Sequence, residues 1–447
     1  MKETGKFFMW FRKGILIILL LSGYPSLIQS QSLYFPPVSG NQWDTISPLS
    51  LGWCVNEIDS LDDFLISNNT KAFILLKDGK IAIERYYGTF TIDSAWYWAS
   101  AGKSLMAMLV GIAEDEGFLH INDPSSDHLG LGWTSAPPNK EIMITVRDQL
   151  TMTSGLDDGV PDIYCTDDTC LQYLADAGTR WAYHNGPYTL LRDVVENATG
   201  QNLNIYLNQK ILSPTGMTGL YFPLGYNYIF LSKARSMARY GLLALNNGNW
   251  DGTQILNDPM YFDDMVNTSQ SLNESYGYLW WLNGKSSFMV PGLQTVFPGS
   301  WNPSAPADMF AAMGANGQII NVVPSQNLVY VRMGDAPFAG EVPLLFNDTL
   351  WQKLNNVMCA ATEIEDHQKY PPVNIFPNPS DGNINIHFPE PVYMLSVSEM
   401  SGKVLLRMRG LKRGSTNLDL SFLRTGVYLV GIIGRSGTLT HSVIMVQ

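Results

Sequence analysis

The sequence predicts an α/β sandwich of the α+β type, its antiparallel sheet assembled from both ends of the domain around a helical insert, followed by a small all-β sandwich. Three observations predict it. Strand-like runs open and close the stretch from residue 33 to 365, with helical patterns between them. A polar stretch over 366–373, ending in Tyr370-Pro371-Pro372, reads as a linker. Beyond it, residues 374–447 hold short alternating runs broken by glycine, the pattern of a β-sandwich.

Each element has a local reason. Residues 73–76 and 81–87 are strand-like runs flanking Asp78-Gly79, a strong hairpin signal. Residues 104–116 form a largely apolar run expected to be a buried helix. Residues 190–198 and 232–245 read as helices, each followed by a glycine, Gly200 and Gly248, in the position that ends a helix. Residues 318–323 and 328–333 read as strands around Pro324-Ser325-Gln326-Asn327, and 342–358 as a closing helix. In the tail, 383–388, 393–398, 404–409, 427–433 and 438–446 read as strands.

The chain of 447 residues is 45% apolar and 15% charged, enough for a large core and against wholesale disorder. Its formal charge is −12, and both termini are locally basic, so the middle is more acidic still. An acidic middle repels phosphate backbones and anionic lipid, which argues against nucleic-acid binding. The six histidines form no H-x-H or H-x-x-x-H pair and the four cysteines no C-x-x-C, so neither a metal nor another cofactor is expected. Lys2, Lys6, Arg12 and Lys13 precede an apolar run over 15–21, then Gly23, Pro25 and the small residues Ser30 and Ser32. This is the order of a secretory signal peptide over residues 1–32, and the apolar run is too short to span a bilayer, so no mature transmembrane segment is expected.

Export to an oxidising compartment turns four cysteines into candidates for two bridges. Cys165 and Cys170 enclose the acidic loop 166–169 and could staple it, leaving Cys54 for Cys359; the sequence alone permits three pairings.

The chemistry concentrates at Ser100, Lys103 and Tyr183. Gly102-Lys103-Ser104 imitates the end of a phosphate-binding loop, but Tyr97 stands where that motif needs glycine. A G-x-S-x-G elbow would need glycine at Trp98. What remains is S-x-x-K, and no other of the fifteen lysines completes that pattern. Residues i and i+3 share a helix face, so the Lys103 amine can reach the Ser100 hydroxyl, and the helix N-terminus favours a developing oxyanion. A free lysine titrates near 10.4, so acting as a neutral base costs roughly 4 kcal/mol, to be met by burial and neighbouring cations. Tyr183-His184-Asn185 supplies a tyrosine able to relay the hydroxyl proton and an asparagine able to fix the lysine or bind substrate. Tyr206-Leu207-Asn208 repeats the spacing inside a helical run and is read as structural. Gly314-Ala315-Asn316-Gly317-Gln318 enters a strand that can lie along the site.

S-x-x-K, then Y-x-N, then a glycine-rich strand motif together resemble the serine β-lactamase-related hydrolases, which include class C β-lactamases, D-alanyl-D-alanine peptidases, esterases and 6-aminohexanoate-dimer hydrolases. The stretch 147–156 and the Leu190-Leu191 and Gly216-Met217 pairs support the resemblance over about residues 55–360. It implies the β-lactamase and penicillin-binding-protein fold, with the first and last helices on one sheet face and therefore Cys54 close to Cys359. It further implies Ser100 as nucleophile, Lys103 and Tyr183 as acid/base pair, and Asn185, Asn316, Gly317 and Gln318 as binding or oxyanion residues. Aligning Ala315-Asn316-Gly317 with the family's K-T-G puts the second oxyanion N–H on Gln318. Ala315 replaces the lysine that holds a substrate carboxylate, so a small ester or short amide is the expected substrate rather than a β-lactam. A peptidase or β-lactamase is one alternative, and a non-catalytic surface or peptidoglycan-binding protein another. Asp157, Asp158, Asp162, Asp167 and Asp168 could attract an amine but read first as a solvated loop.

The tail has its own resemblance. Phe376-Pro377-Asn378-Pro379, Gly382, Leu418-Asp419-Leu420-Ser421 and Thr425-Gly426-Val427-Tyr428-Leu429-Val430 are similar to the C-terminal sorting domain of type IX secretion. That implies recognition of residues 374–447 by the type IX machinery, passage across both membranes, and a cell-surface or extracellular destination. The hydrolase is expected to act as a monomer.

Overall fold

A computed structural model describes residues 33–336, 342–359, 374–388, 391–399, 404–434 and 439–446. The expected signal peptide over 1–32 and the expected linker over 366–373 lie outside the described residues. The chain divides after Cys359 into two compact units.

The first unit is built on a six-stranded antiparallel sheet. Its strands are β1 (Thr70–Lys77), β2 (Lys80–Tyr86), β6 (Trp281–Leu282), β7 (Phe310–Gly314), β8 (Gln318–Val323) and β9 (Leu328–Gly334), in the order β2-β1-β9-β8-β7-β6. A second sheet joins β3 (Ala95–Tyr97), β5 (Asn227–Lys233) and β4 (Gly219–Leu224). The β1–β2 turn is the Asp78-Gly79 pair, both in the left-handed region at φ 51° and 80°, as a two-residue hairpin with right-handed strand twist demands. β1 pairs β9 from Thr70↔Gly334 to Lys77↔Leu328, so the two ends of the domain meet in the middle of the sheet.

Helices cover both sheet faces. The helices of this unit include α1 (Ile58–Ser67), α2 (Gly102–Asp115), α3 (Asn185–Thr189), α4 (Leu191–Thr199), α5 (Ala234–Leu245) and α6 (Leu344–Val357), with a further helix over Pro259–Met265. On one face α5 packs through Gly241, where a side chain would lie 2.5 Å from Val329. On the other, Trp351 of α6 meets Tyr330 at 5.6 Å, and the buried Asn347 bonds the Tyr330 hydroxyl. α1 lies beside α6: Phe64 stacks on Phe346 at 5.5 Å, and Lys353 donates to Ser60 at 3.2 Å. Cys54 and Cys359 are bonded across their ends with Cα atoms 5.4 Å apart, and Cys165–Cys170 closes its loop at 5.9 Å.

α2 is the central helix, buried from Gly102 to Ala113. Tyr221 of β4 donates to the Gly102 carbonyl at 2.6 Å and Tyr261 of the helix Pro259–Met265 to that of Ala107 at 2.7 Å, which fixes its position from two sides. No described helix is long and apolar enough to cross a membrane.

The second unit is a sandwich of two antiparallel sheets. One orders β10 (Asn374–Phe376), β11 (Asn383–Phe388) and β14 (Gly414–Asp419) as β10-β11-β14. The other orders β12 (Val392–Glu399), β13 (Val404–Leu411), β15 (Gly426–Gly434) and β16 (Leu439–Val446) as β13-β12-β15-β16. Ile384, Ile386 and Phe388 of the first face Leu395, Val397, Val430 and Ile432 of the second in one core.

Candidate active site

Ser100 is placed by two elements. The backbone of Trp98 continues the β3–β5 pairing, donating to Phe230 at 2.8 Å, and its buried indole donates to Ser232 at 2.7 Å. The chain then turns through Ala99, at φ 47°, into the 3-10 turn Ala99–Ala101 that opens α2. A left-handed alanine costs about 1–2 kcal/mol, a strain tolerated where the surroundings over-determine it and often found at sites of chemistry.

Lys103, one turn further, is 4% exposed. Its Nζ donates to Ser100 Oγ at 3.0 Å and to Asn185 Oδ1 at 2.7 Å. Lys103 Nζ also stands 4.3 Å from the centre of the Tyr188 ring and 5.2 Å from that of Tyr183. Asn185 is the first residue of the short helix α3 and is fully enclosed. Tyr183 stacks on Trp281 at 6.0 Å and meets Tyr276 edge-on at 6.3 Å, a rigid aromatic bed. Between them His184 is 2% exposed; burial pushes its imidazole down to about 4, against the opposing pull of Asp158 and Asp157, so it is neutral at physiological pH.

The glycine-rich segment is a hairpin turn rather than a continuous strand. β7 ends at Gly314, which passes so close to the nucleophile turn that a side chain there would lie 2.5 Å from the Trp98 carbonyl and 2.8 Å from the Ser100 nitrogen. Ala315–Gly317 form the turn, with Asn316 and Gly317 at φ 61° and 80°, and Gln318 starts β8 opposite Gly314. Asn316 donates to the Tyr97 hydroxyl at 2.8 Å. Gln318 is fully buried, its amide donating to Gly334 O at 2.6 Å and accepting from Gly334 N at 3.1 Å. Behind the turn lies Arg332, also fully buried; burial pushes its guanidinium down to about 9, still charged at neutral pH.

A cavity of about 320 Å³ opens over Ser100 and Lys103. Tyr97, Tyr188, Ala315 and Asn316 form its inner wall, and Tyr164, Phe222, Leu224, Tyr228 and Ile229 its outer, largely apolar wall. Asn316 therefore reaches the cavity, whereas Gly317 and Gln318 do not line it. The aspartates lie to one side: Asp158 pairs with Arg180 and Asp167 accepts from Tyr226 at the tip of the β4–β5 hairpin. Tyr206 of the second Y-x-N is buried and donates to Glu116, remote from this chemistry. Among the described residues no group of three His, Cys, Asp or Glu could hold a metal.

Three contributors escaped sequence reading. Tyr188 lies five residues past Tyr183 in the short buried helix α3, where a tyrosine reads as core. Most of the outer wall is the hairpin β4–β5, whose Pro223 masks a strand signal because proline is confined to sheet edges, where β4 in fact lies. Gly314 carried a signal, a glycine flanking the motif, but its partner across the gap could not be read.

The family model described as Beta-lactamase matches residues 69–336, and that described as Secretion system C-terminal sorting domain matches 374–447. A curated but uncharacterised protein of Alkalihalophilus pseudofirmus is 24% identical over 309 residues, 60% of this chain and 84% of that one. Among solved structures, a Bacillus anthracis protein provisionally named a 6-aminohexanoate-dimer hydrolase superposes with a TM-score of 0.54 at 18% identity, covering 72% of this chain and 88% of its own. The octameric penicillin-binding protein homologue from Pyrococcus abyssi gives 0.52 at 13% identity, over 88% of this chain and 96% of its own. At these identities the likeness is one of fold.

Proposed function

This chain belongs to the beta-lactamase family of serine hydrolases and carries a type IX sorting domain that directs it to the cell surface or beyond; on that premise we propose that it hydrolyses small esters or short amides through an acyl-enzyme on Ser100. The observation that carries the reading is the buried Lys103 amine, held at 3.0 Å from Ser100 Oγ and at 2.7 Å from Asn185.

In the proposed acylation, Ser100 Oγ attacks the substrate carbonyl while Lys103, with Tyr183, takes the hydroxyl proton and returns it to the leaving group. Water then attacks the acyl carbon with the same pair as base, releasing the acid and restoring Ser100. The tetrahedral oxyanion would be held by the N–H groups of Ser100 and Ala315, each worth about 3–4 kcal/mol of barrier. Ala315 replaces Gln318 in that role because it lines the cavity beside Ser100, whereas Gln318 sits on the next strand with its side chain bonded into the sheet.

Substrate preference follows from the walls. Phe222, Leu224 and Ile229 offer an apolar seat for an acyl group, and the cavity presents no arginine to a carboxylate. Comparing turnover of a short-chain p-nitrophenyl ester, an aminohexanoate dimer and nitrocefin tests this. The ester is expected to lead. Efficient nitrocefin hydrolysis with poor ester turnover would overturn the preference.

A further inference from the structure

We propose that Arg332 is a positioning residue for acyl transfer: locked inside the sheet, its guanidinium holds the Ala315–Gly317 turn in the conformation that keeps Ala315 and Asn316 in the cavity wall beside Ser100. The inference rests on the hydrolase reading above and assigns a role to a residue outside the cavity.

The geometry is that of a clamp. Arg332 Nη1 donates to the carbonyls of Asn316 and Gly317 at 2.8 and 2.9 Å. Nη2 donates to the Asn68 carbonyl at 2.6 Å and Nε to Thr70 Oγ1 at 3.1 Å, so the turn is tied to the start of β1. All four acceptors are neutral oxygens. Burying a cation among neutral acceptors is costly, and tying strands together does not require one, as the neighbouring Val331 and Met333 show, buried and paired in the same ladder with apolar side chains. What apolar packing cannot do is bind carbonyl oxygens in a turn whose two consecutive residues are left-handed.

Two glycines make room for the guanidinium. A side chain on Gly317 would lie 2.3 Å from Arg332 Nη1, and one on Gly334 2.5 Å from Nη2. The turn is held from other directions as well: Ala336 N donates to Asn316 O at 3.0 Å, and Asn316 Nδ2 to Tyr97 on the cavity side. Arg332 does not line the cavity, so it acts on substrate only through the backbone it grips.

The test compares wild type with Arg332→Met, Arg332→Lys and Gly317→Ala on a p-nitrophenyl ester and its thionoester. For Arg332→Met, kcat is expected to fall roughly 100-fold with KM within about threefold, the size of losing an oxyanion donor. The oxoester-to-thionoester rate ratio should fall too, and Arg332→Lys should recover part of the loss. Gly317→Ala keeps the arginine and displaces the turn by one methyl, so it carries the test if Arg332→Met does not fold. Hydrogen exchange over residues 310–320 reads the turn without reference to turnover, and faster exchange confined to that peptide is expected. Folded variants with unchanged kcat, unchanged rate ratio and unchanged exchange would overturn the proposal. A wild type without esterase activity would instead refute the hydrolase reading, while the exchange experiment still decided whether Arg332 holds the turn.

Discussion

Lys103 and Asn185, 82 residues apart in sequence and both buried, meet at 2.7 Å at the floor of the cavity. The bond fixes the amine so that its second donation falls on Ser100 Oγ. A lysine side chain has several rotatable bonds, and a proton acceptor must be held within hydrogen-bond reach of the proton it takes. Asn185→Ala is therefore expected to lower kcat by about 10- to 100-fold with little change in KM. Steady-state kinetics on a p-nitrophenyl ester checks it, and unchanged kcat would remove Asn185 from the machinery.

Gly314 sits against the nucleophile turn where no side chain fits. Gly314→Ala must push β7 and the Ser100 turn apart, since the added carbon meets backbone atoms that cannot rotate away. Activity should fall more than about 100-fold, in keeping with displaced oxyanion donors. A variant of normal activity would show that the close approach is unimportant.

His184 gives the site a stability dependence on acid. Its folded value of about 4 lies below the ordinary 6.5, so between those limits the unfolded chain binds a proton that the native one does not. Stability from this group is full above about pH 6.5 and is lost as pH falls to 4, by about 3 kcal/mol in all. Urea unfolding at pH 7 and pH 4.5 should show a smaller difference for His184→Gln than for wild type. Parallel behaviour of the two proteins would contradict it.

The Cys54–Cys359 bridge closes nearly the whole first unit, with 305 residues of separation. Replacing both cysteines by alanine is expected to cost about 2–5 kcal/mol. The five-residue Cys165–Cys170 link should matter less for global stability and more for the cavity wall at Tyr164. Denaturant unfolding of each double variant separates the two effects. Equal stability of the Cys54/Cys359 variant and wild type would count against the first.

What was legible in the sequence was local. Ser100 and Lys103 are i and i+3 on one helix, and the β1–β2 turn is written in Asp78-Gly79, so spacing alone carries both. The tail sandwich was legible in outline, yet β10 and β14 were not, being short or polar at an exposed sheet. Aligning Ala315-Asn316-Gly317 with K-T-G points to Gln318 as oxyanion donor, and the proposed mechanism moves that role to Ala315, because Gly-x-x-Gly does not say which end of the motif faces the nucleophile. That choice depends on β7 crossing the Ser100 turn, a contact between segments more than 200 residues apart. Arg332 gave no signal for the same reason: an arginine in a strand pattern reads as an edge, until the fold surrounds it with carbonyls.

The central claim is that Ser100 is the nucleophile, and a fluorophosphonate probe with intact-mass and peptide analysis tests it most directly. A single adduct on Ser100 is expected, absent from Ser100→Ala and slowed in Lys103→Ala. A folded wild type that takes no label, or one labelled elsewhere than Ser100, would contradict the account.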